Sequence, residues 1–131
     1  MKRIAIVVDI SKHQTTFIMV DYQNAGSILP YIMRDSVDKE FKDIRAILKE
    51  NLRNKEKYCK TDVSDKAKNM FEMRFTNNGR NDRIYCQEVS VGWKRIIIMV
   101  ELFEGKKSQD IPKRIKSRIE TMGGYEYEIQ I

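Results

Sequence analysis

Residues 70–120 read MFEMRFTNNGRNDRIYCQEVSVGWKRIIIMVELFEGKKSQDIPKRIKSRIE, and this stretch decides the fold. Phe71, Met73 and Phe75 alternate with Glu72, Arg74 and Thr76, the period of two that marks a half-buried strand. Counting by twos puts Arg74 on the face away from that apolar stripe. Asn77-Asn78-Gly79 supplies a turn with a positive-φ residue, and residues 83–89 read as the returning strand. Val91-Gly92 marks the next turn. Ile96-Ile97-Ile98-Met99-Val100 is an unbroken apolar run, as in a strand buried on both faces near the centre of a sheet. After Phe103 the chain turns through Glu104-Gly105-Lys106-Lys107. Asp110 and Pro112 then open a helix with Ile111, Ile115, Ile119 and Met122 on one side, and Gly123-Gly124 stops it.

Working outward, residues 4–10 and 17–22 are short runs rich in Ile and Val, joined by the polar turn Ser11-Lys12-His13-Gln14. Asn24-Ala25-Gly26-Ser27 breaks the pattern. From Val37 to about Tyr58, Phe41, Ile44, Leu48 and Leu52 recur at helical spacing. Asp35 or Ser36 is available there as N-cap, and Asp38 favours the helix dipole. Lys42, Glu50, Arg53 and Lys55 read as its solvated face. Residues 61–68 are either a small helix capped by Ser64 or a loop. The tail 125–131 alternates apolar and acidic residues, so it either adds an edge strand or contacts a partner. These readings predict one α+β domain over residues 1–131. Its sheet is small and antiparallel, with four to five strands. The long helix packs on one face, the other face is partly open, and a helix follows near the C-terminus.

A chain of 131 residues suffices for one hydrophobic core and is too short for two ordinary domains. Lys and Arg total 25 against 19 for Asp and Glu, giving a net charge of +6. Such a balance favours an anionic partner, although many small domains are mildly basic for solubility alone. Met1-Lys2-Arg3 and the apolar residues after it resemble the start of a signal peptide, but Asp9 interrupts the run. No stretch approaches the ~20 apolar residues of a membrane helix, so the expected location is cytoplasmic. Cys59 and Cys86 lack CxxC spacing and read as buried or idle thiols. His13 is the only histidine and is expected in a solvated loop. No phosphate-binding glycine loop, nucleophile elbow or metal-ligand cluster is present in the sequence, which disfavours nucleotide- and metal-dependent enzymes. No cofactor is expected.

Taken in order, these residues resemble the RelE/HigB group of bacterial toxins from type II toxin–antitoxin modules (the RelE/ParE superfamily), particularly its phage-derived branch. An E-x-R strand, here Glu72-Met73-Arg74, leads into a hairpin whose second strand carries an arginine, here Arg83 in DRIYCQEV. An apolar strand ending in phenylalanine follows, here residues 96–103. A K-K-x-Q-x-x-P turn then enters the last helix, and residues 106–112 match it at every fixed position. The resemblance covers about the C-terminal half. Residues 1–35 match less well, because the family has one opening strand followed by a helix or helical hairpin. The family's distal histidine or tyrosine has no clear counterpart in KRIKSRIETM.

What the resemblance implies is mRNA cleavage, commonly on the ribosome, by in-line attack of the ribose 2′-hydroxyl on the adjacent phosphate. Such a reaction needs a base, an acid and positive charge around the phosphorane. On this reading Arg74 and Arg83 bind the scissile phosphate through bidentate donors; the ordinary alternative is a strand arginine paired with Glu72 or Glu88. One of Lys106 and Lys107 neutralises the leaving group and the other holds RNA backbone, unless both are simply a solvated turn. In the resulting assignment Lys107 joins Arg74 and Arg83 as catalytic, and Lys106 binds RNA. Tyr85 shares a strand face with Arg83 by parity, and either stacks on a base or is an ordinary sheet tyrosine. Arg80, Lys113 and Arg114, with Arg95, Lys116 and Arg118, add sequence-independent affinity for RNA. Trp93 is either a core plug or an exposed contact. The implied partners are mRNA, the ribosome and a cognate antitoxin, often of helix-turn-helix type, and the free chain is a monomer or weak dimer. Two rival readings are a ParE-like protein-binding inhibitor of DNA gyrase and a non-catalytic, phage-derived binding module.

Overall fold

The computed structural model describes residues 2–105 and 113–131. In chain order its strands are β1 Arg3–Ile10, β2 Thr16–Asp21, β3 Tyr58–Lys60, β4 Met70–Phe75, β5 Asp82–Val91, β6 Lys94–Phe103 and β7 Tyr127–Gln130. The helices are α1 Ala25–Ile32, α2 Asp35–Lys49 and α3 Lys113–Gly123. Among the described residues none of the helices is long and apolar enough to cross a membrane.

The apolar run at residues 96–100 lies in β6, the middle strand of a sheet ordered β3-β4-β5-β6-β2-β1-β7. Each of its five residues is fully buried because its two faces meet two different cores. Ile97 and Met99 join Ile18, Val20, Phe41, Ile44 and Leu48 beneath α1 and α2, whereas Ile96, Ile98 and Val100 join Phe17, Met19, Ile119 and Met122 beneath α3. The two cores follow from period-two alternation in strands covered on both sides.

This architecture corrects the sequence expectation of a four- to five-stranded antiparallel sheet. The sheet has seven strands and is mixed: β3 to β6 form an antiparallel meander, β2 lies parallel to β6, and β7 lies parallel to β1. Parallel pairing needs a long crossover, and the α1–α2 pair followed by the meander supplies one between β2 and β6. On the second face α3 packs through Ile119 and Met122, while Arg74 on that face is 36% exposed.

The long helix ends at Lys49 rather than near Tyr58. Asn51 takes φ 56. Its N–H donates to the Leu48 carbonyl at 3.2 Å, and the Leu52 N–H to the Ile47 carbonyl at 2.9 Å. These are the paired bonds of a Schellman stop. Leu52, counted as a core position from its spacing, is consequently exposed.

At its other end α3 meets the short turn Asp65–Ala67 very closely. A Cβ on Gly123 would sit 3.3 Å from the Ala67 Cα, so glycine there allows the approach.

Candidate active site

The β4–β5 ladder sets Arg74 opposite Arg83 and Glu72 opposite Tyr85, and the β3–β4 ladder sets Cys59 opposite Glu72. Residues directly opposite one another share a face of the sheet. β6 extends the same face, with Phe103 across from Arg83 and Glu101 across from Tyr85. The face is the one that α3 covers.

Glu72 is the hub. Its Oε1 accepts hydrogen bonds from Arg74 Nε at 3.1 Å and Nη2 at 2.9 Å, and from the Cys59 thiol at 3.7 Å. Its Oε2 lies 3.5 Å from Arg83 Nε, an ion pair whose atoms are not aligned for a hydrogen bond. The Glu72 and Arg83 side chains are 6% and 10% exposed, whereas Arg74 is 36% exposed and reaches solvent. Two guanidiniums and one carboxylate leave one net positive charge, carried at the solvent edge by Arg74 beside the buried Glu72–Arg83 pair.

Three polar atoms at neighbouring positions of this face, Glu72 Oε2, Arg83 Nε and the Tyr85 hydroxyl, are buried without a hydrogen-bond partner among the described residues. Tyr85 is fully buried, its ring edge-on to Phe103 at 5.2 Å. Burial first and the Glu72 charge second push its hydroxyl up to about 12, so it remains a donor at neutral pH. Burial and Glu72 likewise raise the Cys59 thiol, which disfavours the nucleophilic thiolate. Burial works against the Arg74 charge, but the hydrogen bond and charge of Glu72 outweigh it and raise its pKa.

α3 carries charge toward the same end of the sheet. Arg118 Nε donates to Glu101 Oε2 at 2.8 Å, and Gln87 Nε2 donates to the Met122 carbonyl at 2.9 Å. These contacts set α3 alongside β5, with Lys113 and Arg114 in its first turn at the Arg83 end, both exposed.

The sequence-predicted residues therefore separate. Arg74, Arg83 and Tyr85 come together, and Lys113 and Arg114 lie at that end of the face. Arg80 does not join them. It sits on the other face, where Nη1 donates to the Ser36 carbonyl at 3.1 Å and Nε pairs with Asp82 at 3.5 Å, tying α2 to the turn Asn77–Gly79. Lys106 and Lys107 lie outside the described residues. Arg95 is held by Glu88 in a two-point contact at 3.0 and 2.9 Å. Trp93 is 77% exposed in the β5–β6 turn.

Glu72 and Cys59 were missed as site residues. The E-x-R spacing already put Glu72 on the Arg74 face, but its burial between two arginines depends on strand pairing. β3 has only three residues, too few for periodicity to place Cys59.

Among the described residues no group of three or more His, Cys, Asp and Glu side chains is gathered as a metal ion would need. No protein-family model matches this chain, and neither a curated protein nor a solved structure does.

Proposed function

We propose that this chain is a toxin-type endoribonuclease that cleaves mRNA without a metal ion at Glu72, Arg74 and Arg83. Its site would be entered from the solvent-exposed Arg74, and an antitoxin protein would restrain it. The observation that carries this reading is the cross-strand arginine pair closing on one buried carboxylate, beside two buried donors, Arg83 Nε and the Tyr85 hydroxyl, with no hydrogen-bond acceptor among the described residues. A phosphodiester supplies the missing negative charge and the acceptors those donors lack.

In the proposed reaction the scissile phosphate takes over the arginines as their partner, which leaves Glu72 Oε1 free to accept the 2′-hydroxyl proton. The 2′ oxygen bonds to phosphorus as the bond to the 5′ oxygen breaks. Arg74 and Arg83 neutralise the phosphorane between those events. The resemblance makes Lys107 catalytic, and in this proposal it neutralises the leaving oxygen by giving it a proton. The products are a 2′,3′-cyclic phosphate and a 5′-hydroxyl. The exposed Lys113 and Arg114 add affinity for RNA backbone, on the mRNA or the ribosome, and offer the antitoxin a basic surface to cover.

A second reading is a binding module without chemistry. The ion pairs of Glu72 with both arginines favour it, since they also tie β4 to β5. Induced expression separates the two. Wild type should arrest growth and fragment mRNA, and Glu72→Gln should relieve both. Cleavage that survives Arg74→Ala combined with Lys107→Ala refutes the site assignment, and intact mRNA with wild type refutes the nuclease.

A further inference from the structure

Across the sheet from Glu72, the end of α2, the loop after it and β3 enclose a cleft of about 650 Å³. That volume lies within the range of about 300–1,000 Å³ typical of small-molecule sites. Its floor is aromatic. The Tyr58 and Phe71 rings stack with centroids 5.3 Å apart and planes 4° from parallel, and Phe71 remains partly exposed.

The rim is cationic. Arg53, Lys55 and Lys60 are exposed there, and no acidic side chain among the described residues forms an ion pair with them. Lys60 Nζ lies 6.0 Å from the Phe71 centroid, and Arg95 lies 6.0 Å from that of Tyr58. Asp62 is the one acidic residue lining the cleft, so its charge balance is positive. A flat ring edged by exposed cations suits a base and its phosphates better than an acidic peptide, which has no planar group for the aromatic floor.

We propose that this cleft binds one or two unstacked nucleotides of a single-stranded RNA, with a base against the Phe71 ring and phosphates on Arg53, Lys55 and Lys60. The choice of RNA rests on the endonuclease reading. The cleft would be where RNA beside the scissile bond is held. β3 gives it a route to the active site, because it is an edge strand and its alternation sends Tyr58 and Lys60 to the cleft while Cys59 faces Glu72. An RNA strand passing over that edge reaches both sites without crossing the sheet.

Binding of a fluorescein-labelled single-stranded RNA, followed by anisotropy, tests the inference apart from cleavage. Lys55→Glu with Lys60→Glu should weaken it about tenfold or more, and the slope of log Kd against log salt should fall by about 1.4, the value for two lost phosphate contacts. Phe71→Leu keeps the packing and removes the stacking surface, and should weaken binding about fivefold or more. Lys2→Glu with Lys39→Glu makes the same charge change away from the cleft and should have a smaller effect.

Wild-type affinity in both cleft variants overturns the inference, whatever the cleavage assay shows. Binding of poly-glutamate but not RNA assigns the cleft to an acidic protein segment and also overturns it. Cleft-dependent RNA binding by a wild type that cuts no mRNA sustains the inference and refutes the endonuclease.

Discussion

Arg74 and Arg83 face each other directly across the β4–β5 ladder, and Glu72 pairs with both. Like charges in directly opposed positions destabilise a sheet. They are tolerated here because the carboxylate lies between their guanidiniums, and the arrangement makes stability and anion binding respond oppositely to loss of that carboxylate.

Glu72→Gln should lower unfolding free energy by about 3 kcal/mol, the scale for breaking a buried ion pair, read from urea denaturation. Arg74→Ala should lower it by only about 1 kcal/mol, since that side chain is partly solvated. Inorganic phosphate should then raise the Tm of Glu72→Gln more than that of wild type, because the site gains net positive charge and binding to the native state stabilises it. Equal phosphate shifts would count against an anion site between the arginines.

The two-core sheet predicts a sharp contrast between neighbours in the β5–β6 hairpin. Ile98 is fully buried at the centre of β6 and Trp93 is exposed at the turn. Ile98→Ala should cost about 2–5 kcal/mol, whereas Trp93→Ala should stay within about 0.5 kcal/mol. Comparable losses at both positions would show that Trp93 is packed against something.

Alkaline pH offers an independent check on burial. The Tyr85 hydroxyl is pushed from its ordinary 10.0 up to about 12, first by burial and then by Glu72. Tyr31, Tyr58 and Tyr127 are raised as well, in each case first by burial. A folded pKa above the unfolded one means that the stabilisation is complete below pH 10 and is lost as pH climbs through the folded value. Melting temperature should therefore hold against these groups up to about pH 10 and fall between about 10 and 12. Tyrosinate absorbance should rise together with unfolding, and Tyr85→Phe should remove part of that alkaline loss. Ionisation of Tyr85 near 10 in the folded protein would contradict its burial.

Much of the meander is written in local pattern. The Phe71-Met73-Phe75 alternation, the unbroken run in β6 and the Phe41-Ile44-Leu48 spacing of α2 each point to a buried surface, and their side chains are buried or nearly so. What local pattern lacks is direction and partner. Nothing in residues 16–21 tells that β2 runs parallel to β6, because that follows from the crossover. β3 is too short to show a period. α1 contains Gly26 and Pro30, poor helix formers, and burial of Ile28, Tyr31 and Ile32 prevails over that preference. The site divides in the same way: parity put Tyr85 on the Arg83 face, but the sharing of that face with Arg74 depends on the β4–β5 register, and the burial of Tyr85 and the opposite placement of Arg80 depend on what packs over each face.

Cleavage of ribosome-bound mRNA by the purified chain, with the chemistry of the new ends determined, tests the central claim most directly. Wild type should leave 2′,3′-cyclic phosphate and 5′-hydroxyl ends. Glu72→Gln and Arg74→Ala should each slow cutting about a hundredfold or more, while Glu104→Gln, whose one ion pair among the described residues is the exposed one with Arg34, should leave it unchanged. Absence of cutting by wild type, 5′-phosphate ends, or undiminished cutting by the two site variants would contradict the account.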